Sequence, residues 1–477
     1  MTLDVLRLPI LGSFLRWRYS RFVLQVPLFV LALLAIYDGF TGRQLAPTNT
    51  ATVAVWVHYR GLVALGLAVF GNLFCAACPL MLTRGSTKFL KRFLPEFRFP
   101  KNLRNKYLVI GATVLFLFTY EYFDLWASPW ITAWLMIAYF ATALVVDAVF
   151  PVGTFCKYVC PLGNFNFALS KVSPTQITAV DQNVCNSCEG KYCLTGRLET
   201  NSTRAPIQGN RAEHVLLKLE PINTKTIGTF PSCETNLFVP SIQSNEDCTL
   251  CLNCLRACPY DNVALEIRNP LREAIVNRPK SDWTWFVVLL TWTGLLNAFA
   301  MIPPYFGLAA WLSALLNTRD EALLLGIIFT VALGLGFSLT LLAAKFSRGS
   351  LRDWVGVLYP LMLAIWGGHY LFHFITGAST LLPNIINLLI RLGLPLEPPA
   401  LVGTVRLDAI FPFQVVVSYL AFFASLYIAY QKASGQKRLA REVLLIILPQ
   451  VFLVLLINTI TILIFSQPMQ ARGSLLL

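Results

Sequence analysis

Apolar residues run through this chain in blocks of about 20, long enough as helices to cross a hydrocarbon core of roughly 30 Å. Such blocks lie near residues 22 to 40, 53 to 74, 107 to 126, 130 to 150, 284 to 302, 322 to 344, 354 to 376, 411 to 430 and 443 to 466, and each predicts a membrane span, about nine in all. The stretch from 151 to 282 breaks the rhythm. It is more polar and far longer than a connection needs to be, which predicts a folded domain between the fourth and fifth spans. Residues 377 to 410 are apolar, but too short to cross twice and interrupted by Pro383, Pro395, Pro398 and Pro399. An amphipathic or re-entrant segment on the outer face suits them. The expected fold is mostly α: a polytopic membrane helical bundle with four spans in residues 1–150, an inserted α+β domain over 151–282, and about five spans in 283–477.

Composition changes the picture in one respect. With 56% hydrophobic and 13% charged residues the chain is no ordinary soluble enzyme. A net charge of +14 would point to nucleic acid in a soluble protein, but in a membrane protein Lys and Arg mark the cytoplasmic loops. With the N-terminus inside, the inner loops hold Arg84, Lys88, Lys91, Arg92, Arg98, Lys101, Arg104 and Lys106, then Lys345, Arg348 and Arg352, then Lys432, Lys437, Arg438 and Arg441. The outer connections hold only Arg43, Arg319, Arg391 and Arg406 beside Asp38, Glu121, Asp124, Asp320, Glu321 and Asp408. This asymmetry predicts a multi-pass inner-membrane protein, N-in and C-out, surrounded by lipid and needing no nucleic acid. The basic start with Arg7, Arg16, Arg18 and Arg21 leads into a full-length span, which reads as an uncleaved anchor.

The chemistry is concentrated in twelve Cys, all between Cys75 and Cys258. Cys248, Cys251, Cys254 and Cys258, followed by Pro259, form C-x2-C-x2-C-x3-C-P, the spacing with which bacterial ferredoxins hold a [4Fe-4S] cluster. In that arrangement the fourth Cys serves the other cluster of a pair. A modified partner lies upstream in Cys185, Cys188 and Cys193, with Cys233 alone after a polar insertion. The crossover then groups Cys185, Cys188, Cys193 and Cys258 around one cluster, and Cys233, Cys248, Cys251 and Cys254 around the other. C-x2-C pairs also build zinc sites, while disulfides are disfavoured in the cytoplasm. The remaining Cys75 and Cys78 before Pro79, and Cys156 and Cys160 before Pro161, sit where the second and fourth spans reach the cytoplasm. If these helix ends pack together, four thiols gather at the membrane surface and suit a third iron-sulfur or metal centre; the alternative is a set of buried, reduced Cys. Cys156 and Cys160 share one face if the helix persists through them.

Four His occur. His58, His369 and His373 belong to spans and gather towards the outer face. At 1.5 Å per residue, His369 and His373 lie about 22 and 28 Å from the inner end near Trp354. Four residues apart, these two share a helical face, and Gly367 and Gly368 allow a ring or helix to come close. Haem b between His58 and His369 or His373, copper, and a quinone pocket are three readings; a hydrogen-bonded interfacial His is the fourth. His214, in the inserted domain, is assigned no role.

Together these motifs resemble the membrane polyferredoxins of the NapH and NosR type and the related CcoG/RdxA proteins of oxidase assembly. The resemblance covers roughly residues 50 to 270 and rests on FCAACP at 74–79, CKYVCP at 156–161, CNSCEGKYC at 185–193 and CTLCLNCLRACP at 248–259. Cys75 and Cys78 are one residue closer than the usual C-x3-C-P of that family, and residues 284–477 have no counterpart in it. What the resemblance implies is electron transfer between the quinol pool or cytoplasm and periplasmic reductases, or service to their metal-centre assembly. The expected function is an integral-membrane iron-sulfur electron-transfer protein, a subunit or oxidoreductase component. It would link a ferredoxin-like or flavin carrier, or the quinone pool, to a membrane or periplasmic redox partner. The alternative is an assembly factor reducing copper or haem, with His369 and His373 at the metal.

Overall fold

The computed structural model describes residues 3–200, 226–398, 409–435 and 439–469. His214, Pro399, Arg406, Asp408, Lys437 and Arg438 lie outside the described residues. Every expected span coincides with a helix: α1 (Ser20–Thr41), α2 (Thr50–Phe70), α3 (Tyr107–Tyr122), α4 (Pro129–Val149), α5 (Ser281–Phe299), α6 (Glu321–Phe346), α7 (Leu351–Gly377), α8 (Ile410–Ser434) and α9 (Ala440–Phe465). Two of the nine need correction as full crossings. The 16 residues of α3 extend about 24 Å, short of a hydrocarbon core. α5 is followed by a bend of 88° into Pro303–Leu316, where two consecutive prolines lacking N–H groups start a new helix in a new direction. Among the described residues, seven helices are long and apolar enough to cross, or eight with the bent pair as one.

α5 and α7 form the centre of the bundle, which explains why both are apolar around most of their circumference. They meet at Trp366, whose indole N–H donates to the Leu290 carbonyl at 2.8 Å, above Gly294, where a Cβ would lie 2.8 Å from that indole nitrogen. The hydroxyls of Thr291 and Thr293 return to the carbonyls one turn back, at 2.9 and 2.7 Å, so these buried polar residues cost the core no unpaired group. α1, α4, α6 and α8 leave most of their apolar surface facing outward, as lipid-contacting helices do.

The inserted region is a small α+β unit. β1 (Leu3–Asp4), β2 (Thr175–Ala179) and β5 (Val263–Ile267) make an antiparallel sheet in the order β1-β5-β2, with Ile177 opposite Leu265. β3 (Arg197–Thr200) and β4 (Thr226–Phe230) form a separate two-stranded ladder. The N-terminal segment therefore belongs to this unit: Val5, Leu6 and Leu15 share its core with Ile177, Leu255, Val263 and Leu265. Conversely, the helix Pro161–Leu169 packs into the membrane bundle, where Phe167, Ala168 and Leu169 are fully buried.

The unit is locked to one end of the bundle by buried ion pairs. Arg21 at the start of α1 and Arg84 beyond α2 both pair with Glu234. Lys106 before α3 pairs with Asp247 at 2.6 Å, and Lys157 beyond α4 reaches the same carboxylate at 3.4 Å. Lys171 and Arg268 flank Glu273 at 3.0 and 2.8 Å. At the opposite end, Arg391 of the amphipathic helix Leu381–Arg391 pairs with Asp38, and Asn384 donates to the Pro47 carbonyl at 3.0 Å.

Candidate functional site

Cys185 and Cys188 sit on and just after the short helix Gln182–Asn186, which Asp181 caps by accepting from the Asn183 N–H at 2.8 Å. With Cys193 and Cys258 they line one cavity of about 30 Å³, closed by Tyr192 and Phe238. Asn262 donates to the Cys185 sulfur at 3.2 Å and is itself fixed by the Asp181 backbone on both sides of its amide, at 2.7 and 2.9 Å. The expected crossover partner, Cys258, is thus among the upstream thiols and not with its sequence neighbours.

Cys248, Cys251 and Cys254 converge because Leu250 and Leu252, at φ +50° and +58°, turn the chain on either side of Cys251. Left-handed backbone at a leucine costs on the order of 1–3 kcal/mol, and here it wraps the loop about its own thiols. Cys233 completes this group: its N–H donates to the Cys193 carbonyl at 2.9 Å, its sulfur accepts from the Leu237 N–H at 3.3 Å, and the Cys251 thiol is hydrogen-bonded to it. That hydrogen bond from Cys251 lowers the Cys233 thiol pKa, whereas burial pushes Cys248 up to about 12.

Cys75, Cys78, Cys156 and Cys160 also come together, at the cysteine-bearing end of α2 and α4, each an electrostatic neighbour of the others. The route differs from the expected shared helical face. Phe155–Val159 is a wider π-helical turn that ends before Pro161, so Cys160 instead caps the next helix, its sulfur accepting from the Gly163 N–H at 3.2 Å. Asn166 lies 3.6 Å from the Cys75 sulfur and the Arg84 guanidinium 3.5 Å from that of Cys156. Burial pushes Cys156 up to about 12, and thiols so placed stay protonated unless a metal deprotonates them.

Glu234 is the electrostatic hinge between these groups. Burial alone would raise its pKa, but Arg21 and Arg84 outweigh burial and hold it at about 2. Arg84 in turn pairs with Asp147 at 2.9 Å. Gly153, at φ +89°, lies under the Glu234 carbonyl, where a Cβ would sit 1.9 Å from the oxygen. We expect Gly153→Ala to displace the Cys233–Glu234 segment and clearly lower the Tm of the protein in detergent, followed by tryptophan fluorescence. An unchanged Tm would show that this close approach is not needed.

The three groups form a series. Cys193 neighbours Cys254, and Cys248 neighbours Cys75. Beyond the last group an apolar cavity of about 270 Å³ enters the bundle, lined by Cys78, Tyr59, Arg60, Trp56, His58 and Tyr370 among others. Tyr59 lies between cavity and thiols, bonded to Asn166 and adjacent to Cys75, Cys78 and Cys160, with its ring edge-on to Phe74 at 4.9 Å. A π-helical turn at Val53–Tyr59 lets His58, Tyr59 and Arg60, consecutive residues, all reach this space.

Arg60 was overlooked in the sequence, although it is the single formal charge in α2 and a charge inside a span is itself a signal. Its guanidinium stacks over Trp56, Tyr120 and Tyr370 at 4.5, 4.5 and 4.9 Å and donates to the Tyr120 hydroxyl at 3.0 Å. Among the described residues no carboxylate lies within ion-pairing distance of it. Cation–π contacts with a desolvated guanidinium contribute about 2 kcal/mol, which offsets part of the cost of burying it.

The His do not form one cluster. His369 and His373 are fully buried and meet edge-on with centroids 4.9 Å apart. Gly368 receives the ring of Phe465, as a close approach requires. His58 instead faces Phe374, with its ring nitrogens 3.1 Å from the carbonyls of Val53 and Ala378. A carbonyl only accepts, so metal on either nitrogen would displace one of these bonds. Among the described residues, no three of His, Cys, Asp and Glu converge closely enough to ligate a single metal ion.

No protein-family model, curated protein or solved structure matches this chain. The protein is a polytopic helical membrane protein carrying an additional α/β unit at one end of its bundle.

Proposed function

We propose that the chain is an integral-membrane iron-sulfur electron-transfer protein that joins the quinone pool to a soluble carrier. The observation that carries this reading is the series of three four-cysteine groups ending at an intramembrane apolar cavity. Cys185, Cys188, Cys193 and Cys258 would hold one [4Fe-4S] cluster, Cys233, Cys248, Cys251 and Cys254 a second, and Cys75, Cys78, Cys156 and Cys160 a third. When bound, such clusters supply one-electron chemistry. Four thiols in each group match a [4Fe-4S] cluster, whose irons are each held by one cysteine thiolate; zinc also takes four thiolates, and acid-labile sulfide distinguishes the two. The remaining residues orient and insulate. Asn262, Asn166 and Gly163 donate to sulfurs of the first and third groups, and Arg84 places positive charge beside Cys156.

The cavity suits a quinone head group. An apolar cavity of ~150 Å³ takes benzene, and this one is larger, borders α1 and α4 on the lipid side, and offers Arg60 and His58 as polar contacts. The charge asymmetry of the loops supports the cysteine-bearing end as cytoplasmic and a location in the inner membrane. The exposed rim of the Cys185 group is then where a ferredoxin-like or flavin carrier would dock. These features also agree with the polyferredoxin resemblance.

The test is turnover of a decyl-substituted benzoquinol with a soluble electron acceptor. Arg60→Leu is expected to raise KM at least tenfold while iron per chain is unchanged. Unaltered KM would remove Arg60 from the binding site, and absence of any quinol oxidation by iron-replete protein would contradict the quinone assignment.

A further inference from the structure

We propose that Glu121 relays protons between the intramembrane cavity and the membrane face opposite the cysteines, so that electrons and protons leave one bound ligand by opposite ends. This rests on the quinone reading above and adds a function to it: charge separation across the membrane.

The cavity has two chemically different ends. At one end, Cys78 and Tyr59 adjoin the third thiol group. Towards the other, Arg60 donates to the Tyr120 hydroxyl at 3.0 Å, and the residue after Tyr120 is Glu121, the carboxylate that Arg60 senses most strongly. Glu121 is held by Asn297 of α5, whose amide donates to it at 2.5 Å, and faces Arg60 of α2 and Asp124 beyond α3; Tyr305 of the Pro303–Leu316 helix is also near it. Asp124 is exposed, and neighbours Glu321, also exposed, at the start of α6. Carboxylates thus step from half-buried to solvent-facing, at the end of the bundle where Arg391 meets Asp38. An ionisable group held within a membrane bundle is rare without a function.

The chemistry requires such a path. Oxidation of one hydroquinone breaks two O–H bonds. Clusters held by the cysteines would accept the two electrons singly and take no proton. The two protons go in turn to the Glu121 carboxylate, which faces Arg60 at the cavity, and by Asp124 to water. Reduction of a quinone runs the same path in reverse. Arg60, beside the departing proton, stabilises the oxygen that loses it.

The experiment uses the full chain with its iron intact, in liposomes with the cysteine-bearing face outward, a decyl-substituted benzoquinol as donor and impermeant ferricyanide outside. Turnover is expected to acidify the lumen by about one proton per electron. Glu121→Gln is expected to lower both turnover and luminal acidification at least tenfold. Quinone binding, read by quenching of tryptophan fluorescence near Trp56 and Trp366, should stay within twofold, and Glu121→Asp should recover part of the rate. Turnover that releases its protons to the external medium, or Glu121→Gln working at the full rate, overturns the relay and leaves the quinone site standing. A quinol that neither quenches fluorescence nor is oxidised overturns the quinone reading and the relay together.

Discussion

Cys258→Ser is expected to strip iron from the group of Cys185, Cys188 and Cys193, which lie at least 65 positions away in sequence, and to spare the group of its near neighbours Cys248, Cys251 and Cys254. The reason is local. Cys258 ends the short helix Asn253–Ala257 and its thiol lines the cavity shared with the upstream three, while Cys251 is hydrogen-bonded to Cys233. Loss of one thiolate ligand from a four-cysteine cluster removes about four iron atoms per chain or converts the site to a three-iron species. The paired substitution Cys251→Ser should deplete the other group. Identical spectra from the two variants would contradict the crossover, whereas distinct residual signals in low-temperature electron paramagnetic resonance would support it.

The second large effect is on stability. Glu234 is nearly enclosed, with two guanidinium groups depending on it. Glu234→Ala leaves Arg21 and Arg84 without that counter-charge, and breaking a buried pair by removing one partner costs about 3–5 kcal/mol. The expected result is a clearly lowered Tm in detergent, followed by tryptophan fluorescence, with Glu234→Gln intermediate. The pH dependence has a defined sign. Because the folded-state pKa of Glu234 is depressed to about 2 from an ordinary value of 4.5, its contribution is complete above the ordinary glutamate range and is lost as pH falls from 4.5 towards 2. A variant as stable as the parent at neutral pH would show that the pair merely balances its own desolvation.

Much of this was legible in the sequence, because hydrophobic block length answers directly to bilayer thickness. Each of the nine blocks is a helix, including α3, whose limit is its length and not its pattern. The cysteine spacings point to three groups, since short loops between thiols leave few ways to close, and Cys185, Cys188, Cys193 and Cys258 do line one cavity. What could not be read was tertiary. Leu3–Asp4 joins a strand more than 250 residues away, and a two-residue strand leaves no periodic signal. Cys156 and Cys160 were expected on one α-helical face, but a π-helical turn, which sequence periodicity does not announce, moved them. Many basic residues taken as topological markers have a second role: Lys106 is buried and paired with Asp247, and Arg84 with Glu234 and Asp147. The cavity was invisible for a different reason. Its lining comes from α1, α2, α3, α4, α5 and α7 at once, and only Arg60 carried a local clue.

The central claim is that the twelve cysteines hold iron-sulfur clusters in series. The most direct test is iron and acid-labile sulfide per chain on anaerobically purified, detergent-solubilised protein, with low-temperature electron paramagnetic resonance. Three four-iron centres predict about twelve iron and twelve sulfide, falling to about eight in Cys75→Ser or Cys160→Ser. Zinc without sulfide, or a metal-free folded protein, would contradict the account.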